Sequence, residues 1–164
     1  MDSMHLVYLK VLSLTSCMLL VFFVGAYVSS AVDSLLGLDG YRSPASMAAG
    51  VLLLLLGTVL RLWASYTFYA NRLSVLRILP QARILKSGPY AHSRNPLYLG
   101  LIALAMGWVL YLGSIFGLLY SILFFLVVEL WVRKEERELE REFGEEYARY
   151  RKSVPRWGWR RRTL

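Results

Sequence analysis

The sequence predicts an all-α fold: a polytopic membrane protein with about four transmembrane helices and a cytosolic, amphipathic C-terminal helix. Three observations predict it. First, hydrophobic residues make up 57% of the 164 residues and charged residues only 18%, against about 45–50% and about 25% in soluble domains. A soluble domain of this size has too much surface to cover with so few charges, and a disordered chain would be poorer in apolar residues, not richer. Second, the apolar residues fall in runs long enough to cross a bilayer core, which takes about 20 residues at about 1.5 Å each. Third, the net charge of +8 is clustered: of 19 Lys and Arg, 5 lie in residues 70–96 and 11 in residues 133–164, between and after the apolar runs. Basic segments gathered on one side of a membrane account for that pattern better than nucleic-acid binding does, and no nucleic-acid partner is expected.

The first span is expected over residues 11–29. Ser29-Ser30-Ala31 would suit a signal-peptidase site, but the run before it is longer than the apolar region of a signal peptide. The second span covers 45–69 and contains an unbroken Val51-to-Leu56 apolar stretch. The third and fourth, 97–112 and 115–132, read as a tight hairpin broken near Leu112-Gly113-Ser114. The connection 70–96 carries Arg72, Arg77, Arg83, Lys86 and Arg94 and no acid, whereas residues 30–44 carry one base against Asp33 and Asp39. The positive-inside rule therefore puts 70–96 and the tail in the cytosol, and with four spans both termini are cytoplasmic. After the last span, residues 133–151 are helical in composition apart from Gly144. Leu139, Phe143, Tyr147 and Tyr150 share one face of that helix, suited to the bilayer interface or to packing over the 80–98 segment.

Residues with chemistry concentrate on this cytosolic side, in segments 80–98 and 133–156. Ser87 to Gly100 packs two Tyr, His92, Arg94, Asn95, two Pro and two Gly into 14 residues. Pro and Gly enforce irregular backbone there. Pro96 suits the first turn of the third span, whose free N–H groups, with Arg94 and Asn95, suit an anion. An anion-recognition corner and a surface turn whose Arg meets lipid headgroups fit these residues equally. Arg133 to Arg137 holds Glu135 and Glu136, read either as a carboxylate pair that holds a cation or as a solvated helix face with i,i+4 pairs such as Glu129–Arg133. Together the two clusters suit a ligand bearing one carboxylate and one cationic group, as an amino-acid moiety does. Arg61 lies inside the second span. Such a residue is a functional candidate, unless its side chain snorkels to the interface. The single Cys17 and the distant His5 and His92 give no metal-ligand set.

The order of these pieces resembles the integral-membrane methyltransferases of the isoprenylcysteine carboxyl methyltransferase and phospholipid methyltransferase superfamily. The pieces are Leu60-Arg61-Leu62-Trp63-Ala64, Leu85-Lys86-Ser87-Gly88-Pro89-Tyr90 and Arg94-Asn95-Pro96-Leu97-Tyr98-Leu99-Gly100, then Glu135-Glu136, Phe143-Gly144-Glu145-Glu146-Tyr147, Tyr150 and Val154-Pro155. The resemblance covers about residues 57–156. It implies S-adenosylmethionine as cofactor and a lipid or lipid-like methyl acceptor. It implies a cofactor pocket drawn from Leu85, Gly88, Tyr90, Arg94, Asn95, Tyr98, Glu135 and Glu136, with Arg133 and Arg61 as candidates to position the acceptor. Asn95 would help hold the cofactor carboxylate, and Glu135 and Glu136 would face its amino group or ribose. The chain departs from relatives in having Ala82 where many carry His, Arg-Asn-Pro in place of Arg-His-Pro, and no Gly-x-Gly pair. The acceptor atom (O, N or S) stays open, as does oligomeric state. A short chain of this kind points to a prokaryotic cytoplasmic membrane. Two other readings remain: a reductase resembling the membrane sterol reductases and using NADPH, and a small non-enzymatic helical protein. In the second of these, Arg156, Trp157, Trp159 and Arg160 to Arg162 would bind an anionic leaflet, and that tail is expected to act as an anchor under any reading.

Overall fold

The computed structural model describes residues 3–71 and 84–158, with side chains from Met18 onward. Ala82, Arg72, Arg77, Arg83 and the tail residues Trp159 and Arg160 to Arg162 lie outside the described residues. Five α-helices and one 3-10 turn make up the described chain, with no strand among the described residues. They are α1 (Ser3–Leu35), α2 (Pro44–Ala70), the 3-10 turn Gly88–Ala91, α3 (Pro96–Leu112), α4 (Ile115–Phe143) and α5 (Glu145–Ser153).

Two helices, α2 and α4, begin where the sequence supplies a side-chain partner for their orphan N–H groups. At α2, Ser43 and Ser46 form a reciprocal capping box and Pro44 occupies the first turn. At α4 the Ser114 hydroxyl accepts from Gly117 N at 2.8 Å. The buried Asp33 carboxylate, from the last turns of α1, accepts from Ile115 N at 2.9 Å and Phe116 N at 3.1 Å. A negative charge is well placed at a helix N-terminus, so this contact ties the end of α1 to the start of α4. Between α3 and α4, Gly113 takes a left-handed φ of 70°. A side chain there would collide with the backbone of Arg42, which crosses the turn as Tyr41 N donates to Gly113 O at 3.0 Å.

The most extensive packing joins α2 and α3, and it rests on absent side chains. Gly50 faces Gly107 and Gly57 faces Gly100, two turns apart on each antiparallel helix. A Cβ on Gly57 would lie 2.8 Å from Gly100 O and 2.9 Å from Leu104 N, and one on Gly107 would lie 2.8 Å from Gly50 O. Small residues of this kind let membrane helices approach to backbone contact. On the other side of α3, α1 packs on α4 through aromatic rings, Phe22 lying 4.7 Å from Phe124 and 5.4 Å from Tyr120. Leu52, Leu55, Val59, Leu62 and Tyr66 leave one exposed apolar stripe along α2. Water does not tolerate a contiguous patch of that kind but lipid does. The protein is an integral membrane protein.

The four expected apolar helices are present. Among the described residues three are long and apolar enough to span by themselves, α1 through Met18–Leu35, α2 and α4, and the expected third span, α3, is a shorter apolar helix of 17 residues, about 25 Å long. The expected amphipathic stretch falls on two helices. α4 runs without interruption from its apolar half through Arg133 to Phe143, because a change of polarity does not interrupt backbone hydrogen bonding. The break falls at Gly144, at φ 51°. The predicted face still forms across that break. Tyr147, Tyr150 and Val154 are buried with Ile84 against Leu139 and Phe143, so it packs on the segment that precedes the 3-10 turn.

Two outcomes follow from these contacts. Gly57→Leu should lower stability by about 1–3 kcal/mol or prevent folding, since the clash is with backbone, whereas Leu56→Ala on the lipid face should change little; thermal unfolding of detergent-solubilised protein followed by circular dichroism compares the two. Asp33→Ala should cost about 1–2 kcal/mol in the same assay, and Asp33→Asn, which keeps one acceptor, should cost less.

Candidate functional site

Four segments meet at the end of the bundle where α2 stops and α3 starts: the stretch 84–95, the first turn of α3, the middle of α4, and a strap formed by residues 154–157. Their meeting point is the Glu136 carboxylate. Glu136 is only 5% exposed, and every oxygen it carries is engaged. Oε1 accepts from Asn95 Nδ2 at 3.0 Å and lies 3.2 Å from Arg94 Nη1. Oε2 accepts from Arg156 Nη2 at 2.7 Å and Nε at 3.0 Å. Arg156 also reaches Glu129 Oε1 at 2.7 Å through Nη1, and the Trp157 indole donates to Glu129 Oε2 at 2.7 Å. The Glu136 hydrogen bonds hold the Arg156 guanidinium above its ordinary pKa.

Backbone contacts lock the same layer. Arg94 N donates to Pro155 O at 2.9 Å, and the buried Ser93 hydroxyl donates to Arg156 O at 2.9 Å. The Tyr150 hydroxyl donates to Tyr90 O at 2.7 Å, so α5 is pinned to the 3-10 turn. Burial, more than the neighbouring Tyr147, raises the Tyr150 pKa, so that hydroxyl stays a donor at neutral pH.

A second cluster lies beside the first. Tyr98, in the first turn of α3, donates to Glu135 Oε1 at 3.0 Å, as does Trp131 Nε1 at 3.2 Å. Arg61 turns inward: its Nη1 donates to Leu97 O at 3.3 Å and its stem lies against Gly100. With these contacts it does not snorkel to lipid. The Tyr90 ring packs edge-on to Phe68 at 5.0 Å, in a cluster with Ala64 and Leu85. Gly88, at φ 59°, sits against Thr67 of α2 with no room for a side chain. Burial, then Tyr150 and Glu135, push the Tyr90 phenol well above its ordinary pKa, so it too keeps its proton.

The Tyr90 hydroxyl and Arg94 Nε are buried and find no hydrogen-bond partner among the described residues, and Arg94 Nη1 reaches Glu136 only as an ion pair. A buried donor left unsatisfied costs about 1–3 kcal/mol. Two of them lie beside the ordered polar layer.

The sequence-derived candidates divide accordingly. Leu85, Gly88, Tyr90, Arg94, Asn95, Tyr98, Glu135, Glu136 and Arg61 all come to this end of the bundle. Arg133 stands on the outer edge of the layer instead. Its side chain is 56% exposed and bonds Glu129 Oε1 at 2.7 Å, about 160° around α4 from Glu135. Sequence reasoning missed Glu129, Arg156 and Trp157 as parts of the layer. Glu129 was visible as an acid within an apolar run, itself a functional signal, but reads locally as the i,i+4 partner of Arg133. Arg156 and Trp157, expected at an anionic leaflet, instead turn inward, where the half-buried Glu129 and the buried Glu136 carboxylates take them.

The family model for phospholipid methyltransferases matches residues 45–146 of the chain; Tyr147, Tyr150 and the strap lie beyond them. An uncharacterized protein of Haemophilus influenzae (strain Rd) is 40% identical over 62 residues, 37% of this chain and 98% of that protein. No solved structure matches.

Glu136→Gln should destabilise the protein by about 3–5 kcal/mol, because it strands buried Arg94 without a counter-charge and leaves the half-buried Arg156 with Glu129 alone. Glu135→Gln, whose carboxylate meets the neutral donors Tyr98 and Trp131, should cost clearly less. Thermal unfolding of the two variants in the same detergent ranks them.

Proposed function

The chain belongs to the phospholipid methyltransferase family, and from that premise we propose that it transfers a methyl group from S-adenosylmethionine to a lipid-like acceptor at the cytosolic membrane face, both termini being cytoplasmic. The observation that carries this reading is the pair of buried, unsatisfied donors, Tyr90 OH and Arg94 Nε, in the layer that also contains Glu135 and Glu136. The cofactor's amino-acid end needs donors for a carboxylate and an acid for an ammonium, and its ribose needs further polar partners. Tyr90, Arg94 and Asn95 would hold the carboxylate end, and Glu135, with Tyr98 fixing its orientation, would face the ammonium. Glu136 would serve as the organiser behind them, since the protein's own cations already surround it. Leu85 and Gly88 would form the wall at the turn.

The cofactor supplies a methyl on a sulfonium, displaced in line by a lone pair of the acceptor. The protein's task is to align acceptor and methyl and to exclude water. An apolar groove of about 210 Å³ runs between α3 and α4, lined by Ile102, Ala105, Met106, Ser121, Ile122, Phe124 and Phe125. Ile102 lies one turn from Tyr98, and Phe125 lies one turn from Glu129. An acyl or prenyl chain in this groove would bring its head to the polar layer. Arg61 would position an anionic or polar part of the acceptor beside Tyr98. Arg133, on the outer flank of α4, would meet the headgroup of a lipid arriving from the bilayer.

Calorimetric titration of the purified protein with S-adenosylhomocysteine, with NADPH as comparison ligand, tests the reading. Saturable binding of the first alone is expected. Tyr90→Phe should weaken that binding about tenfold, the worth of one hydrogen bond, while leaving the ligand-free protein as stable as before or more so, because a buried orphan is removed. Binding of NADPH alone, or of neither ligand by folded protein, overturns the assignment.

A further inference from the structure

The strap that follows α5 lies outside the stretch matched by the family, yet it supplies the strongest contacts of the polar layer. Arg156 spends three of its five donors on two carboxylates, Glu129 and Glu136, at 2.7–3.0 Å. The strap is held independently by Arg94 N on Pro155 O, by Ser93 Oγ on Arg156 O and by Val154, buried with Ile84, Tyr147 and Tyr150. On its far side, Trp157 packs on Phe125 at 6.1 Å between ring centroids and bonds Glu129. Phe125 lines the apolar groove.

We propose that Arg156 is a positioning residue: by bridging Glu129 and Glu136 it fixes Glu136, and through Glu136 the Asn95 amide and the Arg94 guanidinium, in the orientation that receives the cofactor. This role rests on the cofactor reading above. Without a second cation on Oε2, the Glu136 carboxylate is free to rotate toward Arg94 and take both of its terminal nitrogens, which removes Arg94 as a donor to a ligand. Glu129 is the other anchor. It holds the far nitrogen of the guanidinium, so the planar fork of Arg156 cannot swing away from Glu136. A lysine places one ammonium at a point and cannot span both carboxylates. The residues that touch the ligand are thus set by one that does not.

The test is calorimetric titration with S-adenosylhomocysteine of the full-length wild type, Arg156→Gln, Arg156→Lys, Glu129→Gln and the Glu129→Gln/Arg156→Gln double variant, each with its thermal unfolding midpoint. Arg156→Gln should raise Kd at least tenfold, and Arg156→Lys should recover part of the loss. Glu129→Gln should raise Kd severalfold with a small change in midpoint, and the double variant should bind no worse than Arg156→Gln, since both act on one contact. Should Arg156→Gln fail to fold, Glu129→Gln decides by itself, because it leaves the Arg156–Glu136 pair in place. Wild-type affinity in the folded variants, or losses that shift the midpoint without shifting Kd, overturns the positioning role and leaves the cofactor reading intact. Absence of binding by the wild type overturns both.

Discussion

A carboxylate taken out of water needs compensation on every lone pair, and Glu136 obtains it from two separate stretches of chain. Asn95 and Arg94 come from the stretch before α3, and Arg156 comes from the strap after α5. The desolvation cost of such a charge runs to several kcal/mol and is offset only by close, well-directed partners. The arrangement therefore has little tolerance for displacement of any one segment. The stretch before α3, α4 and the strap keep their mutual positions because Glu136 is satisfied only when all of them are present.

This layer is set at a defined depth by the helices above it. The backbone contact of Gly57 on Gly100 draws α2 against α3 and leaves Arg61 opposite Leu97 and Gly100. A bulkier crossing would move Arg61 away from Tyr98, and an Arg so placed would have only lipid or the distant interface to turn to. At the opposite end, Asp33 bonds the first N–H groups of α4. That contact fixes the height of Glu129, Glu135 and Glu136 relative to α1. Close helix packing and remote capping thus govern where the polar residues stand, although neither involves the polar layer itself.

α3 begins beside the polar layer, while α4 runs on past Glu136 to Phe143. α5 folds back on the 3-10 turn through Tyr150 and Tyr90, so the same layer is held from both sides. The apolar groove on the α3–α4 seam ends about one helical turn short of that layer, at Ile102 and Phe125.

Much of this was set by residue order alone. Apolar run length and basic clustering establish a helical membrane protein, because the bilayer imposes both the length of a span and the side on which charge collects. Pro96, Gly113, Ser114 and Gly144 mark helix ends, because capping and positive φ are properties of local sequence. Arg94, Asn95, Glu135 and Glu136 stand out as a carboxylate-and-cation pattern for the same reason. The tertiary structure decided what no local pattern encodes: that Glu136 is sealed within the protein's own cations while Glu135 meets neutral donors, that Arg61 faces inward while Arg133 faces out, and that Arg156 and Trp157 close the layer rather than meet the leaflet. Adjacent residues on a helix point about 100° apart. Which partners Glu136 finds depends on segments 20 and 41 residues away in sequence, and only packing brings those segments together.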